Sequence, residues 1–207
     1  MVGLIGRKVG MTQVFDETGV LTPVTVIKFD DNTIVAKRDQ EKNGYEALVV
    51  GTVDMKEKRV TKPYAGQYKE GVKPKRFLCE FRNFDGDYKI GDSIGLNLFD
   101  DIQFVDIIGN TKGKGYQGVM KRHGFSGGRK THGSKFHRAA GSTGMAAWPS
   151  RVIKGTKMAG RMGNARKTVQ NLRIVKIDSE NKVLLVKGAV PGTRDSFVIV
   201  RDAKKKA

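Results

Sequence analysis

The chain has 207 residues and carries 39 Lys and Arg against 21 Asp and Glu, which gives a formal net charge of +18 and a pI of about 10.1. This excess of positive charge predicts a polyanionic partner, with nucleic acid as the leading candidate. The single cysteine, Cys79, excludes an internal disulfide and argues against a cysteine-based zinc site, and no apolar run reaches the roughly 18 residues of a membrane helix.

Short runs rich in Val and Ile, bounded by Asp, Asn, Gly or Pro, predict β-strands. In chain order these runs are 24–29, 33–37, 46–53, 104–109, 172–177, 182–190 and 196–202. Short helices are expected near 62–70 and 116–123. Strands at this spacing, without regular helices between them, favour an antiparallel barrel or sandwich over a doubly wound sheet.

The positive charge is concentrated in one part of the chain. Between Asp106 and Asp178 lie 71 residues without a carboxylate, and they contain 16 Lys or Arg and all three His. The other 136 residues hold 23 basic and 21 acidic side chains and are nearly neutral. A solvated face does not require acids to be excluded over such a length, whereas contact with phosphates does.

Residues 109–167 are rich in Gly, Lys, Arg and Ser, and their large apolar residues are too scattered for a core. Fixing the backbone costs about 1–2 kcal/mol per residue, which such a composition cannot offset by burial. We therefore expect a body formed by residues 1–108 and 168–207. Residues 109–167 are expected to form an extended basic loop that is mobile until a partner orders it.

Two short motifs in this loop resemble enzyme signatures but lack the parts that the chemistry needs. The GxGxxG at 113–118 should be followed by a long helix and by an acid about 20 residues on, yet the next acid is Asp178. The GxSxG at 124–128 should be followed by an Asp or Glu and then a His, and no His follows His137. The sequence therefore predicts no catalytic residues.

Phosphate-loop and metal chemistry are also poorly supported. The run GGRKT at 127–131 lacks the glycine directly before Lys130 that a Walker A loop requires. His123, His132 and His137 are close in sequence, but no Cys or carboxylate accompanies them to offset the neighbouring positive charge. We predict no metal site and no cofactor, and we expect these imidazoles to contact phosphate, ribose or bases.

Basic residues interleaved with aromatics are typical of RNA-binding segments, because the cations bind phosphates while rings and guanidinium groups stack on bases. The aromatics are Tyr116, Phe125, Phe136 and Trp148; for Tyr116 and Phe125 core packing is an equal alternative. The candidate RNA-binding residues are Arg7, Lys8, Lys112, Lys114, Lys121, Arg122, His123, Arg129, Lys130, His132, Lys135, His137, Arg138, Trp148, Arg151, Lys154, Lys157, Arg161, Arg166 and Lys167.

Six segments together resemble large-subunit ribosomal protein three of the bacterial type. They are GLIGRKVGMTQVF (3–15), TKGKGYQGVMKRHGF (111–125), HGSKFHRAAGSTG (132–144), KGTKMAGRMGN (154–164), TVQNLRIVKID (168–178) and LLVKGAVPG (184–192). The resemblance implies a mainly β fold: an antiparallel β-barrel body of the translation-factor type, a long basic loop and one or two short helices. It also implies binding to 23S ribosomal RNA near its 3′ end early in subunit assembly, with the loop directed toward the peptidyl-transferase centre and other ribosomal proteins as neighbours.

One position departs from the pattern of the family. Some bacterial members carry a methylated Gln where this chain has Met145, so that modification is not expected here. The resulting hypothesis is a non-enzymatic, RNA-binding constituent of the large ribosomal subunit, located in the cytoplasm in the ribosome and without a membrane partner. The alternative is a free-standing architectural protein that binds nucleic acids.

Overall fold

The computed structural model describes residues 3–68, 71–82, 84 and 86–206. Its strands are β1 (Gly3–Phe15), β2 (Leu21–Lys28), β3 (Asn32–Arg38), β4 (Ala47–Asp54), β5 (Lys75–Arg82), β6 (Ser93–Ile94), β7 (Phe104–Asn110), β8 (Tyr116–Gln117), β9 (Gly160–Arg161), β10 (Arg166–Asp178), β11 (Val183–Lys187) and β12 (Phe197–Asp202). Its α-helices are α1 (Gln40–Asn43), α2 (Lys62–Ala65) and α3 (Val119–His123), and short 3-10 turns occur at Glu57–Arg59 and Leu96–Phe99.

Strands β1, β12, β7, β10, β11 and β2, in that order, close an antiparallel barrel. The pairing places Leu4 opposite Val200 and Val198 opposite Gly109. Successive side chains of a strand point to opposite faces, so alternate β-branched and aliphatic residues fill the inside, where Leu4, Ile107 and Val200 are completely buried. The prediction of a mainly β fold with a barrel and few short helices is confirmed.

A second antiparallel sheet, in the order β5-β4-β3-β6, shares the core of the barrel. The buried side chains of Val50 and Phe81 from this sheet belong to the same apolar cluster as Leu4. Asn32 fastens β3 to β1: its side-chain oxygen accepts from the amide of Ile5 at 3.0 Å, and its side-chain nitrogen donates to the carbonyl of Ile5 at 3.0 Å. These two bonds satisfy a buried polar group that would otherwise destabilise the core.

The acid-free part of the chain begins after Asp106, a buried residue of β7 whose carboxylate makes contacts within the barrel unit. Its carboxylate accepts the backbone amide of Asn171 at 3.0 Å and lies 3.4 Å from a guanidinium nitrogen of Arg201. Asn171 has a left-handed backbone with φ of 57° and lies at an irregularity of β10 between Val169 and Leu172. The buried carboxylate therefore stabilises a bulge in the barrel.

All seven predicted strands correspond to observed strands, whereas β1 and β5 and the two-residue strands were not predicted. Near 62–70 the helix covers Lys62–Ala65, and residues 69 and 70 lie outside the described residues. Near 116–123 the chain forms β8 and then α3. No helix in the described ranges combines the length and the apolar character needed to cross a bilayer.

The described chain divides into two compact units. One unit, which we call the basic segment, is Thr111–Ala165, and the rest of the described chain is called the barrel unit. In the basic segment Val119 is the only buried residue, in agreement with the scattered apolar pattern of its sequence. The segment also contains α3 and the β8-β9 pair, and its mobility in the absence of a partner stays a prediction.

Candidate nucleic-acid interface

The two ends of the basic segment are joined by a backbone ladder. The amide of Thr111 donates to the carbonyl of Ala165 at 3.0 Å, and the amide of Lys114 donates to the carbonyl of Met162 at 2.8 Å. Further along, Tyr116 of β8 pairs with Arg161 of β9. The ladder brings together cationic residues that lie almost fifty positions apart in the sequence.

Helix α3 follows this ladder and ends at His123. The next residue, Gly124, has a left-handed φ of 76°, which glycine adopts without strain because it has no side chain. The carbonyl of Met158 accepts from a guanidinium nitrogen of Arg122 at 2.7 Å, and the Nε2 of His123 lies 3.0 Å from the same oxygen. Both side chains are half-buried, whereas Lys121 is exposed. Arg122 and His123 therefore hold the helix to the returning chain, and Lys121 is open to a partner.

Beyond α3 the chain folds back so that Gly127 and Gly128 lie against the backbone of Phe136 and His137. The amide of Gly128 donates to the carbonyl of His137 at 3.0 Å, and the His137 ring nitrogen Nδ1 lies 3.1 Å from the carbonyl oxygen of Arg129. A Cβ added to Gly128 would lie 1.9 Å from the Phe136 carbonyl oxygen, so only glycine permits this approach. The cations on the turn, Arg129, Lys130, Lys135 and Arg138, are all exposed.

Large apolar side chains of the basic segment are also exposed to solvent. Trp148 is 84% exposed, and Tyr116 is 74% exposed, which excludes core packing for that ring. Phe125 is half-buried, with its ring centroid 6.2 Å from that of His123. Exposed aromatic rings among cations are suited to stacking on unpaired bases.

Sixteen of the twenty candidate residues have exposed side chains. They are Lys112, Lys114, Lys121, Arg129, Lys130, His132, Lys135, His137, Arg138, Trp148, Arg151, Lys154, Lys157, Arg161, Arg166 and Lys167. Arg122, His123, Arg7 and Lys8 are half-buried. The basic segment contributes twelve Lys or Arg and three His but no acid, so its cations have no carboxylate within the segment to neutralise them.

Arg7 and Lys8 belong to β1 and contact the protein itself. The Arg7 guanidinium lies 3.6 Å from the Asp30 carboxylate, and the Lys8 ammonium donates to the carbonyls of Val190 at 2.7 Å and Gly192 at 3.3 Å. The Lys8 contacts hold the middle of β1 against the turn before β12, and the Arg7 contact links β1 to the residue pair after β2. Their contact with RNA stays a prediction.

Strand β10 carries basic residues that the sequence interpretation did not select. Two basic residues of this strand, Arg166 and Lys167, are among the candidates; they pair with Asn110 and Gly109, and their side chains are exposed. Arg173 and Lys176 lie further along the same strand and are also exposed. Both fall in the acid-free stretch, which was the signal that could have identified them.

The described residues contain no group of three or more His, Cys, Asp or Glu side chains that could hold a metal ion. His132 and His137 lie in the exposed part of the basic segment, while His123 is fixed on Met158. The arrangement as a whole offers exposed cations, exposed rings and close backbone turns. Such a surface can bind phosphates and stack on bases.

Comparison with known proteins gives a consistent result. Residues 92–183 match the family model described as Ribosomal protein L3. The sequence is similar to proteins named large ribosomal subunit protein uL3: 59% identical to the one from Borrelia hermsii, 58% to that from Borrelia turicatae and 54% to that from Borreliella burgdorferi. These alignments cover 99% of this chain and 99–100% of each relative.

Proposed function

The chain belongs to the family of large ribosomal subunit protein uL3, and on that premise we propose that it binds 23S ribosomal RNA chiefly through its basic segment. The family consists of structural ribosomal proteins and corresponds to no known enzyme class. As a member, the protein is a constituent of the large subunit and acts in translation, within the cytoplasmic ribosome.

The observation that carries the proposal is the exposed, acid-free charge of the basic segment. Twelve Lys or Arg in residues 111–165 face no carboxylate of the same segment. Phosphates of RNA can supply the missing negative charge, and the counterions that they release make binding favourable. Binding should therefore neutralise many phosphates at once rather than rest on one strong site.

The way in which the segment is built suits insertion among RNA strands. The turn at Gly127 and Gly128 lets the chain reverse closely, and the ladder between Thr111 and Ala165 holds its two ends together. Trp148 offers a free ring for an unstacked base. We infer from the resemblance to the family that the segment reaches toward the peptidyl-transferase centre. On the same ground, the protein joins the subunit early in assembly, near the 3′ end of the RNA.

The role that follows is structural, with no catalytic step assigned to the chain. The GxGxxG residues 113–118 lie in the backbone ladder and β8, and the GxSxG residues 124–128 begin at the end of α3. Gly115, Gly124 and Gly127 have left-handed backbones, and a Cβ at Gly127 or Gly128 would clash with the backbone of His137 or Phe136. These glycines therefore have a structural role that requires neither a nucleotide nor a nucleophile.

The proposal is tested by measuring binding of the full chain to 23S RNA between 50 and 200 mM salt, with duplex DNA of equal length as the competitor. We expect log affinity to fall linearly with log salt, at roughly 0.7–0.9 per phosphate neutralised, and the RNA to be preferred. In cell lysates the protein should sediment with large subunits on a sucrose gradient. A slope near zero would refute the proposal. Equal affinity for DNA, together with sedimentation free of ribosomes, would favour an architectural nucleic-acid-binding protein.

A further inference from the structure

Strands β1 and β2 continue past the barrel as a two-stranded ribbon, which we call the hairpin extension (residues 10–23). The pairing of β1 with β12 ends at Arg7, and the pairing of β2 with β11 covers only Val24–Lys28. Beyond these points β1 and β2 pair with each other, as far as Phe15 opposite Leu21. In the described residues, the only backbone bond from the rest of the barrel to the hairpin extension in the β2 strand is the one that the amide of Gly188 donates to the carbonyl of Pro23 at 2.9 Å, at its base.

One face of the hairpin extension is exposed and, apart from Gln13 opposite Pro23, carries large apolar side chains. Residues directly opposite in an antiparallel pair lie on the same face, as do residues two apart, so Met11, Phe15 and Leu21 share a face with Pro23. Met11 is 53% exposed, Phe15 61% and Leu21 46%. A cluster of large apolar side chains in water is typical of a surface that another protein covers.

The outer edge of β1 is also free in this region. Arg194 donates its Nε to the carbonyl of Val9 at 3.0 Å. Beyond that contact, no strand in the described part of the chain pairs with the outer side of Gly10–Phe15. Exposed strand edges bind extended segments of other chains by adding a strand to the sheet.

The charge of the hairpin extension is opposite to that of the rest of the molecule. Residues 9–27 contain no Lys or Arg, and their charged residues are Asp16 and Glu17 at the tip. The Asp16 carboxylate accepts from the Thr18 hydroxyl at 2.7 Å and from the Val20 amide at 2.8 Å. These bonds hold the pKa of Asp16 below its usual value, so its negative charge is fixed on the turn. RNA phosphates would be repelled from this tip.

We propose that the hairpin extension is the docking site for a basic protein, which adds an extended segment to the edge of Gly10–Phe15. Apolar side chains of that partner cover Met11, Phe15 and Leu21, and its Lys or Arg side chains pair with Asp16 and Glu17. The partner is a protein rather than RNA because apolar side chains and carboxylates replace the cations that phosphates require. This inference goes beyond the proposed function, which concerns the basic segment and RNA.

The test places a photo-reactive residue on the apolar face of the full-length protein in cells. Phe15→p-benzoyl-phenylalanine is incorporated, and large subunits are purified and irradiated. The expected product resists nuclease and yields, on digestion, a cross-linked peptide of another protein with more Lys and Arg than Asp and Glu. An adduct to RNA, to a second copy of this chain or to an acidic or neutral peptide would overturn the proposal, as would the absence of any adduct.

A matched residue in the basic segment separates this proposal from the proposed function. Phe136 is also an exposed phenylalanine, and Phe136→p-benzoyl-phenylalanine should give an adduct that nuclease removes. An RNA adduct at position 136 with a basic-protein adduct at position 15 supports both proposals. A protein adduct at position 136 would count against RNA binding by the segment while leaving the inference on the hairpin extension standing.

Charge reversal tests the part of the proposal that names a basic partner. Glu17→Lys keeps Asp16 and its turn, and we expect it to lower the yield of the position-15 adduct at least fivefold. The control is Glu57→Lys, an exposed acid in the short 3-10 turn of the barrel unit, which should leave the yield unchanged. Equal yields from the two variants would contradict the proposal, because its partner is chosen by charge.

Discussion

Outside the hairpin extension, the barrel unit keeps most of its large apolar side chains inside, whereas the basic segment leaves most of its side chains in solvent. Leu4, Ile107 and Leu184 are completely buried in the barrel unit, while Val119 is the only buried residue of Thr111–Ala165. The first unit can be stabilised by burial of apolar surface. The second holds its shape through turns and backbone hydrogen bonds, so we expect its binding partner to supply much of its stability.

The two units also differ in how charges are neutralised. In the barrel unit Lys75 pairs with Asp54 at 2.7 Å and Arg38 pairs with Glu80 at 3.3 Å. The basic segment contains no acid with which to form such pairs. Its cations therefore remain available to an external polyanion, and separate changes in the two units should affect folding and RNA binding separately.

The largest effect is expected from removing residues 127–158 and joining the ends with a short Gly-Ser linker. The deletion removes seven Lys or Arg, two His and the rings of Phe136 and Trp148, but no strand. Affinity for 23S RNA should fall on the order of 10³-fold at moderate salt, because the lost phosphate contacts dominate binding. Thermal unfolding followed by circular dichroism should remain cooperative. Loss of that transition would show that the barrel depends on the segment.

The reverse effect is expected from Leu184→Ala, a change in the core of the barrel. Removing this fully buried side chain should lower the free energy of unfolding by about 2–5 kcal/mol, since a cavity replaces it. RNA affinity measured below the unfolding temperature should change less than twofold. Trp148→Ala is the matched control in the segment. It should change the free energy of unfolding by no more than about 0.5 kcal/mol. It should weaken the free energy of RNA binding by about 1–3 kcal/mol for the stacking contact that is lost. A large loss of affinity in Leu184→Ala would mean that the two units are not energetically separate.

Sequence patterns predicted the barrel strands where Val and Ile dominate, and they missed strands whose pattern is interrupted. In β1, Gly3 and Gly6 break the apolar run, yet close packing requires them: a Cβ at Gly3 would lie 2.2 Å from the Phe81 ring, and one at Gly6 would lie 2.6 Å from Ile27. Such contacts between distant residues are not visible in local propensity. In β5, however, Phe77, Cys79 and Phe81 lie two residues apart, and this period of two, interrupted on the other face by Leu78, could have been recognised.

For the candidate interface, composition predicted exposure but could not predict internal contacts. The absence of acids correctly indicated that Lys130 and Arg138 would be exposed. It gave no sign that Arg122 and His123 contact the carbonyl of Met158, because that residue lies 35 or 36 positions further along the chain. Contacts of this kind depend on how the segment folds back on itself, which short-range patterns do not contain.

A smaller effect is expected when three cations are removed from the turn of the basic segment. Arg129, Lys130 and Arg138 are exposed, and replacing all three by Ala should reduce the slope of log affinity against log salt by about 2–3. The measurement is the same salt titration on 23S RNA. Its control replaces Lys37, Lys58 and Lys187 of the barrel unit, which are equally exposed and remove the same charge. If both triple variants change the slope alike, the binding depends on net charge rather than on the segment.

The smallest effect tests whether the backbone ladder of the segment exists in the free protein. Gly163 and Gly155 both have positive φ, 77° and 85°, so alanine strains either one by about 1 kcal/mol. A Cβ at Gly163 would also lie 2.1 Å from the carbonyl oxygen of Lys112, whereas nothing lies within 4 Å at Gly155. Gly163→Ala should therefore open the neighbouring bond from Lys114 to Met162, seen as at least tenfold faster exchange of the Lys114 amide hydrogen. Gly155→Ala should leave the exchange rate of the Lys114 amide unchanged. If that amide exchanges as fast in the unaltered protein as in Gly163→Ala, the ladder forms only when RNA is bound.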